Sequence, residues 1–440
     1  MGVNELELYQ RLIDLIEEYS KKDSDLQDWR FDLHELKGLE VGLKDNRIGG
    51  PYSAPAYKRS ISGELYLIWQ GDRYTSTKLD LKSIEAFDEH IKTWKATAYR
   101  DPDGAGLYTS QKIPQVLLED TQVKAVIAEE INKPFQLLDH GLNTLLTMGL
   151  RKVDGKLKCY EDLRTVVNSH GLLVQYTQTP VEFFFEVNDS YGQSYQEKKW
   201  PDETEIGRII EETGKIGKFL QKLAPSLKSG PLKLLFPPDV FEAFLGFFLI
   251  NNLFGSLVVN RQSRFTAEDF RNHSRVLRKD LHLKINNLLP WRSFSYPCTH
   301  EGVPGGEITL IREGKLESPI LNVKYGKKLG LPPTPMPAGG RGVFLQTDSS
   351  LPSWEDLIKT VDRGMIVLSV LGLHTQDSSS GSFSLTADQG LLVEEGKIVG
   401  KTKAVINGDF LKSLTLEDSL LGKVDDQDNP GYLMVANVSI

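Results

Sequence analysis

The sequence predicts an α+β protein of two domains: an amino-terminal module of helices and antiparallel hairpins over residues 1–225, and a β-rich antiparallel domain with a buried apolar helix over residues 226–440. Three observations support this. The chain has 440 residues, about three times the size of an average domain. Helical spacing and short strand-like runs alternate through its first half. Pro225, Ser229, Gly230 and Pro231 form the best candidate linker.

Composition narrows the class of protein. Hydrophobic residues make up 40% and charged residues 25% of the chain, which is ordinary globular usage. With 52 basic and 60 acidic residues the net charge is −8, which disfavours a protein that coats nucleic acid. Cys159 and Cys298 lie too far apart in sequence for a metal knuckle or a disulfide framework. The acidic start is unlike a signal peptide, so we expect a cytoplasmic chain without membrane or direct nucleic-acid contact.

In the amino-terminal domain the pattern changes from helix to hairpins and back, twice. Helical spacing of Leu8, Leu12, Leu15, Ile16 and Tyr19 predicts a first amphipathic helix. The following segments predict strands at 39–43, 60–69 and 73–77 and a helix at 83–96, closing a possible first part at residue 110. The possible second part, 111–225, reads as helix over 121–148 with an interruption at Pro134, strands at 157–160, 171–177 and 181–187, and helix over 203–223.

The carboxy-terminal domain begins with the most apolar segment of the chain, residues 240–259. It is long enough to span a membrane, but it contains Glu242, Asn251 and Asn252. A buried core or interface helix fits better than a membrane span. Residues 267–289 read as a further helix. The remainder predicts short strands with glycine-rich turns, including two hairpins that turn at Gly314 and Gly396.

No catalytic or metal motif is complete. Residues 396–402 lack one residue of a phosphate-binding loop and lead into a strand rather than a helix. The basic stretch 261–284 reads as a solvated helix face. His34-Glu35 lacks the second histidine of H-E-x-x-H and is interpreted as a turn. Cys298, His300 and Glu301 lie close in sequence, but neighbouring residues of a strand point to opposite faces, so we expect neither a zinc site nor a Cys-His nucleophile there.

Four stretches of the second half carry a family resemblance. They are Glu301-Gly302-Val303-Pro304 followed by 309–315, the stretch 325–331 (YGKKLGL), Asp377, Ser379 and Gly381 followed by 390–398, and the close at 406–411. In this order they resemble passages of the TldD/PmbA family, also called modulators of DNA gyrase, and more closely its PmbA (TldE) branch. Helix, meander and helix in the first half also fit the layout of that family.

The resemblance implies a metallopeptidase assembly in which a TldD-type subunit carries H-E-x-x-x-H and zinc, and a PmbA-type subunit pairs with it. In this chain Phe248, Leu249 and Leu253 stand roughly where the family has histidine, glutamate and histidine. Phenylalanine and leucine have no lone pair for zinc and no carboxylate to activate water. We therefore expect no catalytic residue, metal or cofactor in this chain, and zinc in a TldD-type partner.

Three hypotheses remain. The first is a non-catalytic subunit that shapes the substrate channel of a zinc peptidase acting on peptides or unfolded segments. The second is a self-associating peptide-binding protein without peptidase activity, and the third is a metallopeptidase with an unrecognised site. Under the first hypothesis, the loops His300-Glu301-Gly302 and Ser379-Ser380-Gly381 are the candidates to face a partner's active site, with Glu301 and Ser379 replaceable without loss of folding.

Overall fold

A computed structural model describes residues 8–51, 53–109, 112–225, 227–425 and 427–439. Its helices and antiparallel sheets confirm the α+β class, with a β-rich carboxy-terminal domain. Three sheets of nine, six and four strands organise the chain. The first sheet is built from residues before 198 and the other two from residues after 229.

The amino-terminal domain holds six helices and nine strands among the described residues. The first part of the chain contributes α1 (Leu8–Lys22), β1 (Leu26–Lys44), β2 (Arg47–Ile48), β3 (Ala56–Trp69), β4 (Arg73–Leu79), α2 (Leu81–Glu85), α3 (Phe87–Ala96) and β5 (Tyr99–Arg100). The second part contributes α4 (Thr121–Ala128), α5 (Lys133–Thr147), β6 (Val153–Asn168), β7 (Leu173–Gln178), β8 (Val181–Val187), β9 (Tyr191–Glu197) and α6 (Glu203–Leu220).

Local sequence explains the helices of this domain. Leu8, Leu12 and Ile16 recur every four residues on α1, and all three are buried. The interruption expected at Pro134 is a break between α4 and α5, with the proline in the first turn of α5, where its missing N–H costs nothing. Asp202 and Glu205 form a reciprocal capping box that starts α6. Strand β9 was not predicted from the sequence.

The nine-stranded sheet runs β5-β4-β3-β1-β6-β8-β9, with β2 paired to β1 and β7 paired to β6. The long strands β1 and β6 pair from Arg30–Asn168 to Leu43–Gly155, which joins the first and second parts of the domain. Helices cover one face of the sheet: a core with Phe31 and Leu33 lies under α1 and α3, and a second core with Phe183 lies under α4, α5 and α6. The opposite face is polar in its centre and lies towards the carboxy-terminal domain.

The carboxy-terminal domain begins with a strand and a broken helical segment. Its elements are β10 (Gly230–Phe236), α7 (Pro238–Phe244), α8 (Gly255–Val259), α9 (Ala267–Arg271), β11 (Leu281–Asn286), β12 (Glu307–Arg312), β13 (Lys315–Leu316), α10 (Val323–Leu329), β14 (Val343–Thr347), α11 (Trp354–Lys359), β15 (Arg363–Leu371), β16 (Ser382–Glu394), β17 (Lys397–Asp409), α12 (Phe410–Ser413), β18 (Leu420–Gly422) and β19 (Gly431–Ser439).

The six-stranded sheet closes on itself. Its order is β10-β15-β16-β17-β19-β18, and β10 also pairs with β19 over seven residues, so that few strand edges stay open. The largest core of the molecule packs α7 and the segment after it against this sheet and against the four-stranded sheet β13-β12-β11-β14. A separate core places Leu220 of α6 against Leu235, Leu391 and Leu433, so α6 contacts both domains.

The apolar segment 240–259 is buried as predicted, but it is not one continuous helix. After α7 the chain makes a π-helical turn (Leu245–Ile250) and a 3-10 turn (Asn251–Leu253), and Phe254 is extended before α8 begins. Gly255 N–H bonds to Ile320 O at 2.8 Å, which draws the chain out of the helix. Among the described residues, no helix is both long and apolar enough to cross a bilayer.

The helix expected over 267–289 is wrong beyond its first turn. A capping box between Thr266 and Asp269 starts α9, which ends at Arg271. Leu281, Leu283 and Ile285 are then buried on alternate positions, which is strand periodicity, and they form β11. The basic stretch 261–284 is therefore a short helix, a loop and a strand rather than one solvated helix face.

The two glycine-turn hairpins are confirmed. Glu313 and Gly314 join β12 to β13 with φ of 46° and 71°, and Glu395 and Gly396 join β16 to β17 with φ of 50° and 70°. Two consecutive positive φ angles are the geometry of the tight hairpin turn that matches strand twist.

Candidate functional site

The first predicted loop, His300-Glu301-Gly302, contacts the amino-terminal domain. Arg30 of β1 donates to His300 O at 2.9 Å and lies 3.4 Å from Glu301 Oε1. The second carboxylate oxygen of Glu301 accepts from Val323 N–H at the start of α10, at 2.9 Å. Only 12% of the Glu301 side chain is exposed. Glu301 therefore holds two domains and a helix together, and we now expect its replacement to weaken the fold, contrary to the sequence-based expectation.

Gly302 of the same loop is required by its conformation. Its φ is +80°, and a Cβ there would lie 2.4 Å from Cδ2 of Leu172 in the amino-terminal domain. The loop itself lies between β11 and β12 rather than on a strand, so the argument that Cys298 and His300 must point to opposite faces does not apply to it.

A cleft of about 440 Å³ lies beside this loop, between the two domains. Its lining includes Asp32 and Arg164 from the nine-stranded sheet and Cys298, His300 and Glu301 from the loop. Two motifs that the sequence offered separately, His34-Glu35 and Cys298-Thr299-His300-Glu301, thus meet at the same interdomain surface.

His34 lies in the middle of β1, not in the turn predicted for it. Its Nε2 is 3.2 Å from Asp32 Oδ2 and its Nδ1 is 3.4 Å from Asp162 Oδ2, while Arg164 also contacts the ring. Burial disfavours the charged imidazole, but the two carboxylates outweigh it and raise the pKa of His34. Burial likewise disfavours the charged carboxylates, and contact with His34 nevertheless lowers the pKa of Asp32 and of Asp162. Since both ring nitrogens are engaged, this arrangement is an ionic cluster rather than a general base.

The thiols are not suited to nucleophilic chemistry. Burial raises the pKa of Cys298 to about 12 and that of Cys159 also to about 12. A thiol with so high a pKa is almost entirely protonated at neutral pH, and the thiolate is the reactive form.

The second predicted loop is tied to the broken helical segment. Buried Asn252 donates to Ser378 O at 2.9 Å and to Phe248 O at 2.7 Å, and accepts from Arg264 N–H at 2.6 Å. Arg264 Nη1 donates to Ser380 O at 2.9 Å. The Ser379 hydroxyl and N–H bond to Asp377 Oδ1 within the loop, and Ser379 O accepts a 3.5 Å bond from Arg264 Nη1. None of the contacts among described residues joins this loop to His300-Glu301-Gly302.

Gly381 ends this loop at a position that excludes a side chain. Its φ is +77°, and a Cβ would lie 2.9 Å from Leu411 Cβ. The turn alone explains this glycine.

The three positions that the resemblance assigns to the family's metal helix lie in the core. Phe248, Leu249 and Leu253 are fully buried, and the Phe248 ring packs 5.8 Å from Phe244 and 5.8 Å from Phe410. Neither these side chains nor their surroundings fit zinc, which needs nitrogen, sulfur or oxygen ligands and an open position for water. Over the ranges that the structure describes, no three His, Cys, Asp or Glu side chains are grouped to hold a metal ion.

A second and larger interdomain cleft, of about 580 Å³, was not anticipated from the sequence. It lies between β9 and the start of α6 on one side and α7, the loop around Arg341 and residues 427–429 on the other. Six carboxylates and three guanidiniums line it: Glu197, Asp202, Glu205, Asp239, Glu242 and Asp428, with Arg208, Arg292 and Arg341.

Burial is the main cause of the raised pKa values of three acids in this interdomain cleft. It raises the pKa of Glu197 to about 7, although Arg292 Nη1 lies 3.2 Å from Glu197 Oε1. Burial also raises the pKa of Asp239 and of Glu242. Asp239 is open to the cleft, yet the surrounding walls replace enough bulk water to disfavour its charge. Carboxyl groups with shifted pKa values that share a cleft are a common mark of a functional site.

Little in the sequence could have revealed this interdomain cleft. Glu242 was considered only as a polar interruption of an apolar segment, and Arg341 only as part of a flexible glycine-rich loop. Residues 191–197 contain glycine, serine and glutamine and do not show the apolar alternation of a half-buried strand.

Comparisons with known proteins fit this architecture. Residues 229–436 match the family model described as the PmbA/TldA metallopeptidase C-terminal domain, which confirms the resemblance read from the sequence. The curated proteins contain no significant match to the chain.

Three solved structures share the fold over nearly their whole length. TldE from Thermococcus kodakarensis is 17% identical with a TM-score of 0.78, covering 97% of this chain and 99% of that one. The Thermotoga maritima protein TM0727 is 18% identical with a TM-score of 0.79, covering 98% and 100%. BT3649 from Bacteroides thetaiotaomicron is 16% identical with a TM-score of 0.73, covering 100% and 99%. The last two are described as candidate modulators of DNA gyrase.

Proposed function

We propose that this chain, whose residues 229–436 match the family model of the PmbA/TldA metallopeptidase C-terminal domain, is a PmbA/TldE-like, non-catalytic subunit of a cytoplasmic zinc peptidase assembly. The assembly would process peptides or unfolded segments. The observation that carries the proposal is the burial of Phe248, Leu249 and Leu253, all fully enclosed where the family has its metal ligands and base.

The broken helical segment serves packing in this chain. Its aromatic rings form one continuous cluster with Phe383, Phe410 and Tyr432. Introducing ligands there would open a cavity and bury polar atoms, both at a cost in stability. A peptidase reaction therefore requires another chain to supply zinc and the general base. The likeness in fold to a protein named TldE supports the same assignment.

The decisive experiment is to purify this chain alone and together with a co-expressed H-E-x-x-x-H chain from the same cell. We expect no stoichiometric zinc and no cleavage of an unstructured peptide by the chain alone, and a stable complex with cleavage when the partner is present. Elemental analysis, size-exclusion chromatography and a peptide-cleavage assay give the three readouts.

Two results would contradict the proposal. One tightly held zinc per isolated chain would indicate a metal site of its own. A partner chain that is equally active with and without this chain, combined with self-association of this chain, would favour the alternative of a self-associating peptide-binding protein.

The surface loop gives a finer test of the channel-shaping role. Among the described residues the Ser379 hydroxyl bonds only to Asp377, so Ser379→Ala should leave stability and association unchanged. If the loop faces the active site of the partner, the reconstituted complex should cleave peptide more slowly. Unchanged cleavage would remove this loop from the mechanism.

A further inference from the structure

The interdomain cleft contains an open strand edge. Strand β9 is the last strand of the nine-stranded sheet and pairs with β8 from Tyr191–Val187 to Glu197–Val181. Within the described ranges, no hydrogen bond from outside β8 reaches the backbone of residues 191–196. In an antiparallel sheet every second residue of an edge strand points its N–H and C=O outward. Residues 194–197 of this strand line the cleft, and the open edge ends before Glu197, which is bridged to Arg292.

The charged groups of the cleft differ in whether they already have partners within the protein. Arg292 contacts both Glu197 and Asp428, and Arg208 lies 3.6 Å from Glu212. Glu205 is paired with Lys199 at 2.9 Å, and Asp202 caps α6. Most of these charges contact an opposite charge or a helix end within the protein, although Arg208 Nη1 and Arg292 Nε are buried without a hydrogen-bond partner among the described residues.

The acids on α7 are different. Asp239 makes no hydrogen bond or ion pair among the described residues, and Glu242 contacts only the amide of Asn429, at 3.0 Å. Arg341 is the remaining cation, and its contact is a 3.4 Å bond to Ser293 Oγ. Neither Asp239 nor Glu242 forms an ion pair among the described residues, although Arg341 interacts electrostatically with both, and the two carboxyl groups lie across the cleft from an open strand edge.

We propose that this interdomain cleft binds a basic peptide segment in extended conformation, which adds to β9 as a further strand and directs lysine or arginine side chains to Asp239 and Glu242. Main-chain bonds to an edge strand give affinity for an extended peptide, while side-chain contacts select among peptides. Six carboxylates against three guanidiniums repel an acidic segment and attract a basic one. The inference rests on the proposed function for the choice of a peptide as ligand, but it concerns this chain alone.

The first test uses the isolated full chain and a fluorescent peptide of alternating lysine and alanine, seven residues long to match β9. Fluorescence anisotropy should show saturable binding that weakens with salt. The same peptide with glutamate in place of lysine should bind about tenfold more weakly or worse. Equal affinity for the two peptides, or no binding of the lysine peptide, would overturn the proposal.

Variants locate the site. The double change Asp239→Asn and Glu242→Gln should weaken binding of the lysine peptide by about tenfold. The matched control, Glu355→Gln with Asp356→Asn, removes the same charge from the exposed start of α11 and should bind as wild type does. Thermal melting checks folding, and Glu242→Gln alone provides a milder change. Binding that is equal in the double variant and the control would place the peptide elsewhere.

The strand-addition step has its own test. Lysine peptides N-methylated at odd positions or at even positions lose one or the other set of outward N–H groups. If the peptide pairs with β9, one of the two should lose at least about tenfold in affinity and the other should bind nearly normally. Similar affinities for both would contradict strand addition. Because no zinc or partner enters these assays, they can succeed where the proposed peptidase role fails, and the reverse.

Discussion

At the scale of single residues, the ionic cluster around His34 shows what a sequence does not contain. Asp32 and His34 are neighbours on one strand face, but Asp162 and Arg164 reach them only because β1 and β6 pair in one particular register, with His34 opposite Arg164. A shift of β6 by one residue would turn Asp162 and Arg164 to the helix-covered face, away from Asp32 and His34. Because the sequence does not reveal this register, it predicted a turn at His34, which in the fold lies on a strand at a polar interface.

The raised pKa of His34 predicts a pH dependence of stability. Because its pKa is higher in the folded chain than the value of 6.5 of an unperturbed histidine, its contribution is fully present below about pH 6.5 and is lost as the pH rises through the folded value. The free energy of unfolding in urea should thus fall more in wild type than in His34→Gln between about pH 6 and pH 9.

The comparison of wild type with His34→Gln matters because other groups titrate in the same range. Burial lowers the pKa of Lys198 to about 7, so this lysine favours folding as the pH rises, opposite to His34. The effect of Lys198 is common to both proteins and cancels in the difference. Parallel pH profiles for the two proteins would show that His34 is not held in its charged form.

A second residue-scale prediction concerns the contact of Glu301 with Arg30. The two side chains are 12% and 10% exposed, and the Arg30 guanidinium also lies 4.4 Å above the Tyr66 ring. Glu301→Ala leaves the Arg30 charge without a carboxylate and the N–H of Val323 without its acceptor, and should lower the free energy of unfolding by about 2–4 kcal/mol. Glu417→Ala, an exposed control, should change it by less than about 0.5 kcal/mol. Equal stability of the two variants in urea would refute a structural role for Glu301.

At the scale of elements, the sequence succeeded where local rules decide. Helix α1 follows from apolar spacing, and the hairpins at Gly314 and Gly396 follow from turn chemistry. It failed where distant contacts decide: Asn252 and the bond from Gly255 to Ile320 break the segment 240–259, and pairing of β11 between β12 and β14 overrides the helical appearance of 267–289. The resemblance assigned metal slots to Phe248, Leu249 and Leu253, but it did not predict that aromatic rings enclose Phe248.

Adjacent phenylalanines in the π-helical turn test the role of that segment. Phe248 is fully buried among Phe244, Phe383 and Phe410, whereas Phe247 is only partly buried. Phe248→Ala should lower the free energy of unfolding by about 3–5 kcal/mol, because it leaves a cavity. Phe247→Ala, the matched control, should cost about 1–2 kcal/mol. If the two variants unfold at the same urea concentration, Phe248 is not a tightly packed core residue.

At the scale of the whole molecule, the two domains meet through polar contacts around two clefts. Lys327 Nζ donates to Pro102 O at 2.6 Å, and Trp291 N–H donates to Leu117 O at 2.7 Å. Arg30 and Arg292 each form an ion pair with a carboxylate of the other domain: Arg30 with Glu301, and Arg292 with Glu197. The larger cleft draws on segments from residue 194 to residue 429, so no local pattern could have revealed it. Helix α6 adds the apolar part of the interface through Leu220.

Such an interface predicts how the chain unfolds. Because α6 packs into both domains, wild type should unfold in a single calorimetric transition. Arg30→Ala with Arg292→Ala removes the cations that hold Glu301, Glu197 and Asp428, leaving partly buried carboxylates at the domain boundary. The double variant should lose several degrees of melting temperature and separate into two transitions, since polar interdomain contacts are what couple the domains beyond α6. Lys215→Ala, which removes a fully solvated pair with Glu211, serves as the control and should melt as wild type does. A double variant with one transition at the wild-type temperature would mean that apolar packing of α6 alone joins the domains, and that the ionic contacts around the clefts serve binding rather than cohesion.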